Sequence, residues 1–140
     1  MAMSTWQDLH DYLSATFQGF TGYGELLSRF VVKHGDEAVK IGLTKLTSDA
    51  KNEWALFLIK VCEAHLVDPT HALAANFVMS IGSLAVMDGT LIVTQRLPVR
   101  GLEADHIHET IDALIKEKAT VMERLVKRPG ASDTHSHLAE

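Results

Sequence analysis

The chain has 140 residues, 46% of them apolar and 22% charged, with a formal charge of −5. That length suits one domain with an ordinary hydrophobic core, needing neither disulfide nor metal to hold it together. The acidic balance has the wrong sign for neutralising nucleic-acid phosphates or an anionic membrane surface, so neither partner is expected.

The first element reads as a helix. Ser4 with Gln7 three residues later fits a capping box, and Trp6, Leu9, Tyr12, Leu13 and Phe17 recur at helical spacing. Gly19, Gly22 and Gly24 end it and open a loose turn. A strand is expected around residues 29–33, although Leu26-Leu27 before it leaves a short helix open. His34-Gly35-Asp36 reads as a turn. Val39, Ile41 and Leu43 alternate with Lys40, Gly42 and Thr44, which predicts a half-buried strand over residues 39–47.

Trp54 to Ile59 has no polar member, as expected of a central strand apolar on both faces. Asp68-Pro69 then provides an N-cap and a first helical residue. Leu73, Phe77 and Ile81 form the stripe of this second helix, with Ala74 and Val78 beside it, and Gly82 is placed to end it. Asp88-Gly89 sits between two apolar runs and tolerates the positive φ of a tight turn, predicting a hairpin from 83 to 97 closed by Pro98. A long helix over residues 103–126 carries Ile107, Ile111, Leu114, Ile115, Val121, Met122 and Leu125 on one stripe. Its acids come first and Lys127-Arg128 last, which complements the helix dipole. Residues 129–140 lack periodicity and read as a flexible tail to a single domain over 1–128.

The order is α-β-β-β-α-β-β-α, an α+β fold with a five-stranded, mainly antiparallel sheet and helices on one face. The run 54–59 puts apolar side chains on both faces, so the second face calls for a cover: a subunit partner or a bound polypeptide.

Chemistry is sparse. His106 and His108 stand at i and i+2 on a helix and do not share a face. His135 and His137 fall in the tail, and His10, His34, His65 and His71 lack ligand-spaced neighbours. Cys62, the single cysteine, excludes an intrachain disulfide and a thiolate zinc cluster. On a strand it points away from His65, with no third group to orient a nucleophile. Gly19 to Gly24 follows a helix and lacks the Gly-Lys-Ser/Thr ending of a phosphate loop. No catalytic residue, metal site or cofactor is expected. The N-terminus lacks the regions of a signal peptide, and no apolar run approaches the ~20 residues of a membrane helix, so a cytoplasmic location is expected.

From about Ala72 to Leu125 the chain resembles a known pattern. Ala75-Asn76-Phe77, Gly82-Ser83-Leu84-Ala85-Val86, Asp88-Gly89-Thr90-Leu91-Ile92-Val93 and Arg96-Leu97-Pro98-Val99-Arg100-Gly101-Leu102 precede the long helix. This is similar to the last helix-hairpin-helix of CesT-like type III secretion chaperones and of YbjN-like proteins. The resemblance implies a non-enzymatic homodimer that holds a client polypeptide extended. It makes Leu73, Phe77, Val78 and Ile81 dimer candidates, and Phe30, Val32, Ile41 and Leu43 partner-groove candidates. Plain core is the alternative for each of the eight. A YbjN-like regulatory or scaffold role without a secreted client is the alternative function.

Overall fold

Alternation along the strands and periodicity along the helices decide which side chains meet. The structure, a computed structural model, describes residues 2–23, 27–47, 52–79 and 81–125. The tail 129–140 and the turn residues 48–51 lie outside the described residues.

Helix α1 spans Trp6–Thr16. Its cap falls at Thr5 and Asp8, one residue beyond the expected Ser4 and Gln7. The Thr5 hydroxyl accepts from the Asp8 N–H at 3.2 Å, and the Asp8 carboxylate accepts from the N–H groups of Ser4 and Thr5. Those two donors hold the Asp8 carboxyl below the usual carboxylate range. Gln7 turns outward and donates to Asp11 instead, at 2.7 Å.

The sheet has six antiparallel strands, one more than expected: β1 Gln18–Tyr23, β2 Leu27–His34, β3 Glu37–Thr47, β4 Glu53–Glu63, β5 Ser83–Met87 and β6 Thr90–Pro98. Their order is β1-β2-β3-β4-β6-β5. The extra strand, β1, occupies the glycine-bearing stretch expected to be a loose turn. Gly19 takes φ +63° at a bulge between Gln18 and Thr21, and the rest pairs with β2 from Thr21↔Arg29 to Tyr23↔Leu27. Phe20 stacks over Phe30 with centroids 6.3 Å apart, a long-range contact that outweighs the local preference of the glycines.

One face of the sheet carries the main core. Leu9 and Leu13 of α1 cluster with Phe30, Ile41, Leu43, Phe57, Ile59 and Val93. So do Ile107, Ile111, Leu114 and Val121 of α3, which spans Ala104–Leu125. Each such side chain contributes roughly 1.5–3 kcal/mol by leaving water. On α3 the stripe is not wholly inward: Met122 is exposed, and Thr110 is buried in its stead. The Met3 N–H donates to the Leu102 carbonyl and the Met3 carbonyl accepts from Gly101 N–H, both at 2.8 Å, tying the entry to α1 against the turn after β6.

After β4, a short 3-10 turn over Ala64–Leu66 leads to α2, Pro69–Val78. Asp68 caps it as expected, accepting from Thr70 N–H at 2.8 Å. The end differs: the helix stops at Val78, and Gly82 (φ +66°) instead immediately precedes β5. A Cβ there would collide with the Thr94 carbonyl oxygen, so only glycine fits. The hairpin is as expected, with Asp88 at φ 50° and Gly89 at φ 74°.

Candidate functional site

Among the described residues no helix lies over the open face of the sheet, yet Leu58 and Ile92 on that face are only 4% and 3% exposed and stand outside the main core cluster. Gly42 explains Leu58. The two residues are opposite each other in the β3–β4 ladder, and a Cβ on Gly42 would lie 2.7 Å from Leu58 Cδ1. With no side chain at 42, Leu58 lies down across the strand. A glycine inside a strand marks such a close approach.

That same pair is where β3 and β4 part. Their ladder runs from Thr47↔Glu53 to Gly42↔Leu58 and stops. Beyond it, residues 37–41 of β3 pair only with β2, and residues 59–63 of β4 pair only with β6. The sheet divides into two leaves with a wedge between them. A cleft of about 410 Å³ fills this wedge, bordered by Leu27, Arg29 and residues 37–42 on one side and by Leu58, Ile59 and Lys60 on the other. Met87 and Lys118 complete its lining, the latter reaching in from α3.

The backbone polarity of the wedge follows from the β2–β3 turn. His34 and Glu37 flank the two-residue turn Gly35-Asp36, with Gly35 at φ 65°. A two-residue turn closes on a hydrogen-bonded pair, so the backbone groups of residues 37, 39 and 41 serve β2. Those of Ala38 and Lys40 point the other way, into the wedge. This inner edge of β3 is regular. The facing edge of β4 is not, because the register shifts between Lys60 and Cys62.

The outer edges of the sheet are better protected. On β5, the Asn76 side chain from α2 takes the outward N–H and carbonyl of Leu84. On β1 the bulge at Gly19 breaks the edge.

The electrostatics of the wedge run against those of the whole chain. Among the described residues, Arg29, Lys40, Lys60 and Lys118 line it against one carboxylate, Glu37, in a protein of formal charge −5. Among the described residues, Lys40, Lys60 and Lys118 make no salt bridge.

The side chains expected to form a partner groove are placed differently. Phe30, Ile41 and Leu43 are wholly buried in the core beneath the helices, and Val32 is half-buried against it. Their parity on β2 and β3 turns them to the helix face, so they support the sheet rather than offer surface. Of the four, Ile41 alone borders the wedge.

The expected dimer candidates are on the surface. Leu73, Phe77 and Val78 are 73%, 96% and 74% exposed, and α2 has no buried residue at all. Ile81, beyond the helix, is half-buried.

Little favours bond-making chemistry. Cys62 is half-buried, and its burial, with the Glu63 carboxylate adding, pushes the thiol above its ordinary value, against forming a thiolate. His65 sits in the 3-10 turn with its ring 3.6 Å from Glu63, on the surface. His108 accepts or donates a 2.8 Å hydrogen bond with the Tyr12 hydroxyl, joining α3 to α1. Among the described residues no His, Cys, Asp and Glu group has the grouping of a metal site, and no helix is long and apolar enough to cross a membrane.

Comparison with protein-family models, with curated proteins and with solved structures gives no match for this chain.

Proposed function

We propose that this protein is a non-enzymatic polypeptide-binding adaptor that holds a partner segment extended, in the manner of a secretion chaperone. The observation that carries the reading is the open inner edge of β3, where Ala38 and Lys40 turn unpaired backbone groups into a cleft. An extended segment adds there as a strand. Main-chain hydrogen bonds supply affinity, and the side chains lining the wedge supply choice. The resemblance to CesT-like and YbjN-like proteins points the same way.

The protein works as a homodimer in this reading, with Leu73, Phe77 and Val78 of α2 facing a second copy. Three large apolar side chains on an otherwise unburied helix are the kind of patch that marks a protein contact.

The test is a tagged pull-down from the native cell with the eluate weighed by native mass spectrometry, run on the wild type and on Ala38→Pro. Proline at 38 removes an N–H that faces the wedge and leaves the β2 ladder intact, as edge prolines do. The expected result is a dimer with one stoichiometric polypeptide for the wild type, and a bare, folded dimer for the variant. Equal loading of both, or of neither, overturns strand addition at β3.

A further inference from the structure

The wedge also carries information about the composition of what enters it. Four cations, Arg29, Lys40, Lys60 and Lys118, converge there from β2, β3, β4 and α3, so that four separate elements contribute positive charge against the single described carboxylate of Glu37. Arg29, Lys40 and Lys60 stand on the open face, where register also places Lys33 and Arg96, and Lys118 enters from the helix side. The face's one strand carboxylate, Glu63, lies past the β4 bulge and sits beside the His65 ring. This concentration is not a by-product of composition, since Asp plus Glu outnumber Lys plus Arg by 18 to 13 in the chain. Like charges gathered around a cleft repel one another, and an anionic occupant relieves that cost.

We infer that the segment taken by the β3–β4 wedge is acidic: an extended stretch with Asp or Glu at alternate positions. The inference rests on the strand-addition reading above and adds to it the chemistry of the partner. Alternate spacing follows from strand geometry, because successive side chains point to opposite faces and the open face of the added strand meets Arg29, Lys40 and Lys60. A single-stranded nucleic acid is the other anionic chain of comparable width. It stacks its bases on aromatic side chains, and the described residues lining the wedge include none. A folded second copy is a poor occupant as well, since exposed acids such as Asp105, Glu109, Asp112 and Glu123 are held on a helix.

Fluorescence anisotropy with the full-length protein tests this. The probes are a labelled peptide alternating Thr and Glu, its amide counterpart alternating Thr and Gln, and oligodeoxythymidine of similar length. The acidic peptide is expected to bind about tenfold or more tighter than the amide peptide, with the gap closing in high salt. Lys40→Gln with Lys60→Gln, both exposed positions, is expected to narrow that gap severalfold while leaving the circular dichroism unchanged and the melting temperature no lower than that of the wild type. Ala38→Pro is expected to weaken both peptides alike. Equal binding of the two peptides by the wild type overturns the charge inference and leaves strand addition standing. Binding of neither peptide overturns both. Tighter binding of oligodeoxythymidine than of the acidic peptide, lost in the double lysine variant, reassigns the cleft to nucleic acid.

Discussion

The side-chain amide of Asn76 pairs with the backbone of Leu84 in both directions: its Oδ1 accepts from the Leu84 N–H at 2.5 Å and its Nδ2 donates to the Leu84 carbonyl at 3.2 Å. The amide does for β5 what a neighbouring strand's peptide group would do. It also fastens α2, whose own side chains contribute no buried residue.

Asn76→Ala therefore undocks α2 from β5. Two part-buried backbone groups lose their partners, which costs about 1–3 kcal/mol. Amide hydrogen exchange is the measurement: the Leu84 N–H and the α2 amides should exchange faster while those of β4 do not. Unchanged protection at Leu84 counts against the amide's role.

Phe77→Asp separates assembly from folding. A side chain 96% exposed contributes little to the fold of its own subunit. The variant's stability measured at a concentration where the wild type is monomeric should lie within about 0.5 kcal/mol of wild type. Sedimentation at higher concentration should give a dimer for the wild type and a monomer for the variant. Identical masses would remove α2 from the proposed interface.

The β5–β6 turn makes a sharper demand on residue type. Asp88 and Gly89 both hold positive φ, at 50° and 74°. Replacing them with Val-Val forces two β-branched residues into that region, at about 1–3 kcal/mol each. Urea denaturation should report a lowered midpoint with an unchanged slope. A wild-type midpoint would contradict the turn geometry.

Glu53 predicts an acid limb. The Lys45 ammonium, 2.9 Å from Oε2, and then the Trp6 N–H, 3.0 Å from Oε1, hold its carboxyl below the ordinary glutamate value. A depressed pKa means the folded state binds the proton less readily than the unfolded chain. The contribution is present above the unfolded value, about 4.3, and is lost as pH falls through the folded one. Glu53→Gln should then be less stable than wild type at pH 7, with the difference shrinking below about pH 4. Urea melts at both pH values decide it, and a pH-independent difference refutes the linkage.

Much of the fold was legible because its signals are local. Asp68-Pro69 announces α2, Asp88-Gly89 announces the hairpin, and the apolar stripe from Ile107 to Val121 announces α3. What escaped is what depends on partners distant in sequence. Strand β1 exists because Phe20 finds Phe30, and no window over residues 18–23 contains that fact. Apolar alternation on β2 and β3 identified Phe30, Ile41 and Leu43 as belonging together, but alternation does not say which face a helix will cover. The wedge itself was hardest to see. Its one local trace is Gly42, a glycine within an otherwise regular alternation, and its meaning depends on Leu58 lying across it. The cations around it come from β2, β3, β4 and α3, so no stretch of sequence looks basic.

On the proposed strand addition, the position of the wedge inside the sheet, rather than at its border, makes it a filter on the conformation of what enters. A strand that already belongs to a folded sheet brings a neighbour about 4.8 Å away on its other flank. The leaf formed by β4, β6 and β5 stands where that neighbour would have to go. Only a lone chain, stripped of its own partners, is slender enough to reach Ala38 and Lys40. In that reading the cleft distinguishes unfolded from folded versions of one and the same sequence, by steric exclusion, before any side chain is compared.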